Sequence, residues 1–237
     1  NPVYRQYIAQ LMDHLREKNL LDNAHYEIYD EPKTGNEWQD VLRMHGWLKQ
    51  YVPDLKLKSY GIGPWRYEDR PEWSAIGSYD VWAPGLGAVT PERLEQLQAR
   101  QAEGEEFWFY TCSARYRDAD RTSVPHICLY QHPLAPRMHG WAAWKLNADG
   151  FLIFALMCGH PENTQDDPDK YYSEPVWESG RTAAQGYLVY PGDNQQLWPS
   201  IRLSSVRDGL EDYEYFVVLE QHLQQLDPDH DTDLIRD

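Results

Sequence analysis

Residues 3–20 carry apolar side chains at helical spacing (Tyr4, Ile8, Leu11, Leu15), which predicts an amphipathic helix. A short loop leads to an apolar run at 25–30, read as a strand. A second helix is predicted over 36–51, with Asn36 as its N-cap and Trp38, Val41, Leu42 and Leu48 on one face. Pro53-Asp54 ends it. Leu55 to Ile62, Ser78 to Trp82 and Glu106 to Cys112 then read as strands. Between the last two, Thr90-Pro91-Glu92 opens a helix with proline in its first turn, running to about Gln101. Pro136 to Leu146 reads as a helix and Phe151 to Met157 as a strand. A polar, proline-rich loop spans 159–169. Gly186 to Tyr190 is strand-like, and a last helix runs from about Leu210 to Leu226.

Strand alternates with helix repeatedly, which predicts an α/β fold with parallel strands, because a parallel crossover needs a helix's worth of chain. The strands read as nearly continuous apolar runs, as when both faces of a sheet are covered. A (β/α)8 barrel takes roughly 250 residues, and here the first helix has no strand before it. The expectation is therefore the C-terminal part of one (β/α)8 TIM barrel over residues 1–226, followed by a fraying acidic tail, 227–237. Strands absent from such a barrel would leave an open edge. An N-terminal segment or a second chain is expected to complete it.

Hydrophobic residues make up 41% and charged residues 25%, an ordinary globular composition with no run long enough to cross a membrane. The net charge of -16 opposes binding to nucleic acid or anionic membranes. The outlier is aromatic content: 10 Trp and 17 Tyr against 5 Phe. Such rings pair a flat apolar face with a polar edge, which suits the C–H faces and hydroxyl rims of sugars. Cys112, Cys128 and Cys158 lack CxxC spacing and read as buried thiols. The histidines show no HxH or HExxH spacing, and Asp166, Asp167 and Asp169 lack EF-hand spacing. No metal and no cofactor are expected. A secreted or periplasmic location is expected ahead of the cytoplasm.

Asp30 and Glu31 stand side by side where the run at 25–30 gives way to Pro32. Neighbouring strand residues point to opposite sides unless the strand is ending. A carboxylate pair placed there can reach a cleft, and glycosidic bond cleavage needs such a pair. Other motifs follow in order: Phe107-Trp108-Phe109-Tyr110-Thr111-Cys112, Trp141-Ala142-Ala143-Trp144-Lys145, Asp149-Gly150-Phe151-Leu152, Leu188-Val189-Tyr190-Pro191-Gly192, and Pro199-Ser200-Ile201-Arg202-Leu203 through Arg207-Asp208-Gly209-Leu210-Glu211-Asp212-Tyr213-Glu214. Together with Tyr29-Asp30-Glu31-Pro32 they resemble the catalytic domain of glycoside hydrolase family 123, over about residues 20–220.

The resemblance implies a β-N-acetylgalactosaminidase barrel in which this chain holds strands four to eight plus the C-terminal helix. It implies retaining, substrate-assisted catalysis through an oxazolinium intermediate. Asp30 would orient the acetamido N–H, and Glu31 would protonate the leaving oxygen and later deprotonate water. An ordinary retaining glycosidase needs a protein nucleophile ~5–5.5 Å from its acid. No well-placed candidate is legible: Glu105, Glu106 and Asp149 stand at the amino ends of their strands, leaving Asp80 as the other acid near a strand end. Tyr60, Trp82, Trp108, Tyr110 and His160 are the substrate-binding candidates, with barrel core as the competing reading for the rings. Arg202, Arg207, Glu211, Asp212 and Glu214 read as an ion-paired scaffold. The chain departs from the family pattern at Ile153-Phe154, Gln131-His132 and Ala184-Gln185-Gly186, which leaves the sugar open. The alternatives are a non-catalytic carbohydrate-binding barrel and a hydrolase of a sugar lacking the acetamido group.

Overall fold

The computed structural model describes residues 2–27, 29–30, 35–59, 79–112, 124–127, 131–156, 188–191 and 196–226. Glu31, Tyr60, His160, the 159–169 loop, the 227–237 tail and the Trp38 side chain lie outside the described residues. The chain divides into two compact units, Asn1–Phe109 and Tyr110–Asp237.

In the first unit, α1 (Pro2–Glu17) buries Ile8 and Met12, and α2 (Gly35–Tyr51) buries Val41 and Leu48. Asn36 lies inside α2, so the predicted N-cap is set back into the first turn. Strands β1 (His25–Glu27), β2 (Lys56–Lys58), β3 (Val81–Trp82) and β4 (Glu106–Cys112) follow, with α3 (Pro91–Ala102) between the last two. The start of α3 is the one its sequence specifies. Thr90 accepts a hydrogen bond from the Arg93 amide at 3.4 Å, and Pro91 opens the helix where no amide donor is needed.

The sheet runs β1-β2-β3-β4-β5 in order, with β5 at Gly150–Phe154. The pairs β1/β2, β2/β3 and β3/β4 are parallel. This is the α/β architecture that the alternation predicts. The expectation of uniformly apolar strands needs correction. Registered partners share a face. His25 faces Lys56, Glu27 faces Lys58, Lys58 faces Val81 and Val81 faces Glu106, so this face is largely charged. The opposite face holds Leu57, Trp82 and Phe107, none more than 1% exposed. Only that second face behaves as hydrocarbon core.

In the second unit, α4 (Met138–Lys145) packs on a long final helix, α5 (Ile201–Leu226). A short antiparallel pair, β6 (Val189–Pro191) with β7 (Leu197–Pro199), precedes α5. β7 was not foreseen, and α5 starts at Ile201 rather than near Leu210. The missed signal is Ser200, whose hydroxyl accepts from the Leu203 amide at 3.4 Å. α4 and α5 cross at two glycines. A Cβ on Gly140 would lie 1.9 Å from the Gly209 carbonyl oxygen. Arg137 clamps Asp212 with two bonds of 2.5 and 2.7 Å, and the Trp141 indole donates to the same carboxylate at 2.7 Å. The Arg137 guanidinium holds Asp212 below the usual carboxylate range. Asp208 in turn accepts from Arg207 at 2.7 Å, so each member of the Asp208/Asp212 pair has its own cation.

His139 sits fully buried in α4. Its Nδ1 is 2.9 Å from the Pro136 carbonyl, which can only accept, so Nδ1 carries the proton and Nε2 accepts from the Thr111 hydroxyl at 3.0 Å. Burial pushes its pKa down to about 4, with His126 adding to the effect. Burial pushes His126 down to about 4 as well. The unfolded chain protonates such a histidine below about 6.5, the folded protein only near 4. Stability is therefore full above about pH 6.5 and falls as pH drops toward 4. His139 alone removes about 2 kcal/mol between neutral pH and pH 5. Urea unfolding of wild type against His139→Gln checks this: the variant shows the shallower pH dependence, and equal slopes would refute it.

Candidate active site

β1 ends at Glu27, and Asp30 lies exposed in the bend that follows. The strand thus stops before Asp30. The Tyr29 hydroxyl bonds the Glu37 carboxylate in the first turn of α2. Burial, then the acids Glu37 and Asp40, raise the Tyr29 pKa. This contact links the residue before Asp30 to the first turn of α2.

Below that bend lies a charged cluster on β1, β2 and β4. Lys56 Nζ bonds Glu106 at 2.5 Å, and the Trp108 indole donates to the other Glu106 oxygen at 3.0 Å. Burial alone would raise Glu106, but the Lys56 and Trp108 bonds outweigh it and hold the carboxyl below its usual range. His25 Nε2 approaches Glu106 to 3.5 Å, and its ring meets Trp108 edge-on at 4.9 Å. Burial lowers the His25 pKa despite the attraction of Glu106, so at neutral pH the ring is uncharged. Lys58 Nζ stands 4.6 Å from the Trp108 ring centroid. Burial lowers the Lys58 pKa, opposed by Glu27 and then Glu106.

The sugar-platform candidates fare differently. Trp82 is 1% exposed, donates its indole N–H to Glu105 at 2.6 Å and packs edge-on against Tyr79, so its ring belongs to the core. Trp108 is half-buried with Lys58 over its ring, and Tyr110 is half-buried on the same side of β4. Asp80 needs correction as an acid near a strand's carboxyl end. It precedes β3, where Lys49 binds it at 2.7 and 2.8 Å and the Leu57 amide donates to it. Glu105 is held by Arg100 at the amino end of β4. The described residues just past β2 (Ser59), β3 (Ala83 and Pro84) and β5 (Ala155 and Leu156) include no carboxylate. No group of three or more acids, histidines and cysteines fit for a metal occurs among the described residues. No helix of the described residues is long and apolar enough to cross a membrane.

Sequence reading overlooked Glu27, Lys56 and Lys58. The signal was present as period-two polarity in His25-Tyr26-Glu27 and Lys56-Leu57-Lys58. A cavity of about 400 Å³ lies elsewhere, between α4, β5 and α5, lined by Asp149, Phe151, Arg207 and Glu211 among others. It sits at the amino end of β5, the end opposite to that where barrel enzymes place their chemistry.

Barrel enzymes place their chemistry at the carboxyl ends of parallel strands, the end of β1 past which Asp30 lies. The family model "Glycoside hydrolase 123, catalytic domain" matches residues 1–219, and the chain belongs to that family. No curated protein sequence matches the chain. Among solved structures it is similar to the endo-beta-1,4-mannanase from Thermotoga petrophila, with 15% identity and a TM-score of 0.38. The similarity covers 80% of this chain and 44% of the mannanase, so the chain spans less than half of that protein's length.

Proposed function

We propose that the protein is a glycoside hydrolase that removes a terminal β-linked 2-acetamido sugar, N-acetylgalactosamine being the expected one. The observation that carries this reading is Asp30 in the bend directly after β1, followed in sequence by Glu31. The family supports glycosidase chemistry. The lack of a carboxylate among the described residues just past β2, β3 and β5 supports a substrate that provides its own nucleophile. In this reading the chain holds strands four to eight of a (β/α)8 barrel, and an N-terminal segment or second chain supplies the others. The compartment is proposed to be extracytoplasmic.

Catalysis then runs in two steps. The acetamido oxygen attacks the anomeric carbon while Glu31 gives its proton to the departing oxygen, forming the oxazolinium. Water, deprotonated by Glu31, opens that ring with net retention. Asp30 accepts the acetamido N–H bond and offsets the positive charge that grows there. Tyr60, Trp108, Tyr110 and His160 are proposed to line the sugar site.

The test is turnover of paired aryl β-glycosides with and without the 2-acetamido group. The acetamido member is hydrolysed and its plain counterpart is not. Hydrolysis of the plain sugar alone would favour the hydrolase lacking acetamido chemistry, and binding without turnover would favour a lectin-like barrel. Asp30→Asn is expected to lower kcat on the acetamido substrate by about 10²-fold or more, as loss of a donor or acceptor to developing charge does elsewhere.

A further inference from the structure

The sequence puts three acids, Glu27, Asp30 and Glu31, within five positions at the exit of β1, in a chain already at -16. Like charges so close oppose one another's ionisation. The registered partner of Glu27 is Lys58, the last residue of β2, on the adjacent parallel strand. Lys58 is buried at 8% exposure, and its ammonium lies 4.6 Å from the Trp108 ring. A buried lysine is a poor device for stability alone, since well-packed apolar residues in place of a buried pair are often neutral or better.

We propose that Lys58, acting through Glu27, is an electrostatic positioning residue of the reaction, neutralising the strand-end charge next to Asp30. This rests on the reading of Asp30 and Glu31 given above. Asp30 lies three residues past Glu27, at most roughly 10 Å away along the chain. Among the described residues, the charged and titratable groups around Lys58 are Glu27 and His25 on β1, Lys56 on β2, and Glu106 on β4; Tyr79 before β3 feels Glu27. With Lys56 engaged by Glu106, Lys58 is the cation in register with Glu27.

Removing one charge at such range moves a neighbouring carboxylate by about half a unit to one unit. Lys58→Met therefore moves the acid limb of the kcat/KM pH profile upward by that amount. The double variant Glu27→Gln/Lys58→Met, which removes both charges, brings the limb back, and Lys58→Arg leaves its position where wild type has it. A purely structural role would give no such return. Lys58→Met leaves the half-buried Glu27 without this cation; if that variant does not fold, the arginine and double variants carry the comparison. An acid limb at the wild-type position in Lys58→Met overturns the inference, as does a double variant whose limb stays displaced.

Glu31→Gln separates this from the functional reading. If Glu31→Gln keeps full activity, the catalytic assignment fails. Lys58 is then judged by the Glu27 carboxyl titration in ¹³C NMR, which Lys58→Met must move upward; an unmoved titration overturns the inference by itself.

Discussion

Replacing Glu31 with glutamine lowers kcat/KM on a 2-acetamido glycoside with a poor leaving group by about 10²–10⁴-fold, the usual contribution of a positioned acid. The loss is smaller on a nitrophenyl glycoside, whose leaving group departs without a proton. Asp30→Asn behaves differently: its loss persists on both leaving groups, because the developing charge on the acetamido nitrogen arises in either case. The two variants therefore separate by how their rates depend on leaving-group pKa. Wild-type rates from Glu31→Gln on the poor leaving group would remove Glu31 from the mechanism.

Gly140→Ala is expected to cost about 3 kcal/mol or more, at the upper end of overpacking effects. The reason is geometric. The new methyl would sit 1.9 Å from the Gly209 carbonyl oxygen, and the obstruction is backbone, which cannot rotate aside. Gly209→Ala meets the Arg137 carbonyl oxygen at 2.1 Å and behaves alike. α4 and α5 would have to separate, straining the Arg137–Asp212 clamp that ties them. A loss of this size is a large share of a domain's stability of about 5–15 kcal/mol. Thermal or urea unfolding reads it directly. Unchanged midpoints would mean the helices do not cross at these glycines.

The elements with strong local signals were legible in the sequence. Thr90-Pro91-Glu92 specifies the start of α3 by cap and proline, and the apolar run at 106–112 is β4. The start of α5 at Ile201 was not legible because its signal is a lone Ser200 directly after Pro199, with no regular apolar spacing in the first turns to mark a helix. The charged face of β1 and β2 was misjudged because a short strand with alternating polarity resembles an apolar run when only its hydrophobic members are counted. At the site, the position of Asp30 past the first strand was legible, and the structure places it in the bend past β1. The role of Trp82 was open to either reading because aromatics serve core and sugar alike; its bond to Glu105 depends on a tertiary contact that no local pattern encodes. The pairing of Glu27 with Lys58 likewise follows from strand register, which joins positions far apart in the chain.

Inhibition by the thiazoline analogue of the 2-acetamido sugar's oxazoline tests the central claim most directly. The analogue mimics the cyclic intermediate that forms when the substrate's own acetamido oxygen attacks. Competitive inhibition by the thiazoline, much tighter than binding of the parent sugar and weakened in Asp30→Asn, is the predicted result. Hydrolysis of the acetamido substrate at an undiminished rate in the presence of saturating thiazoline would contradict it.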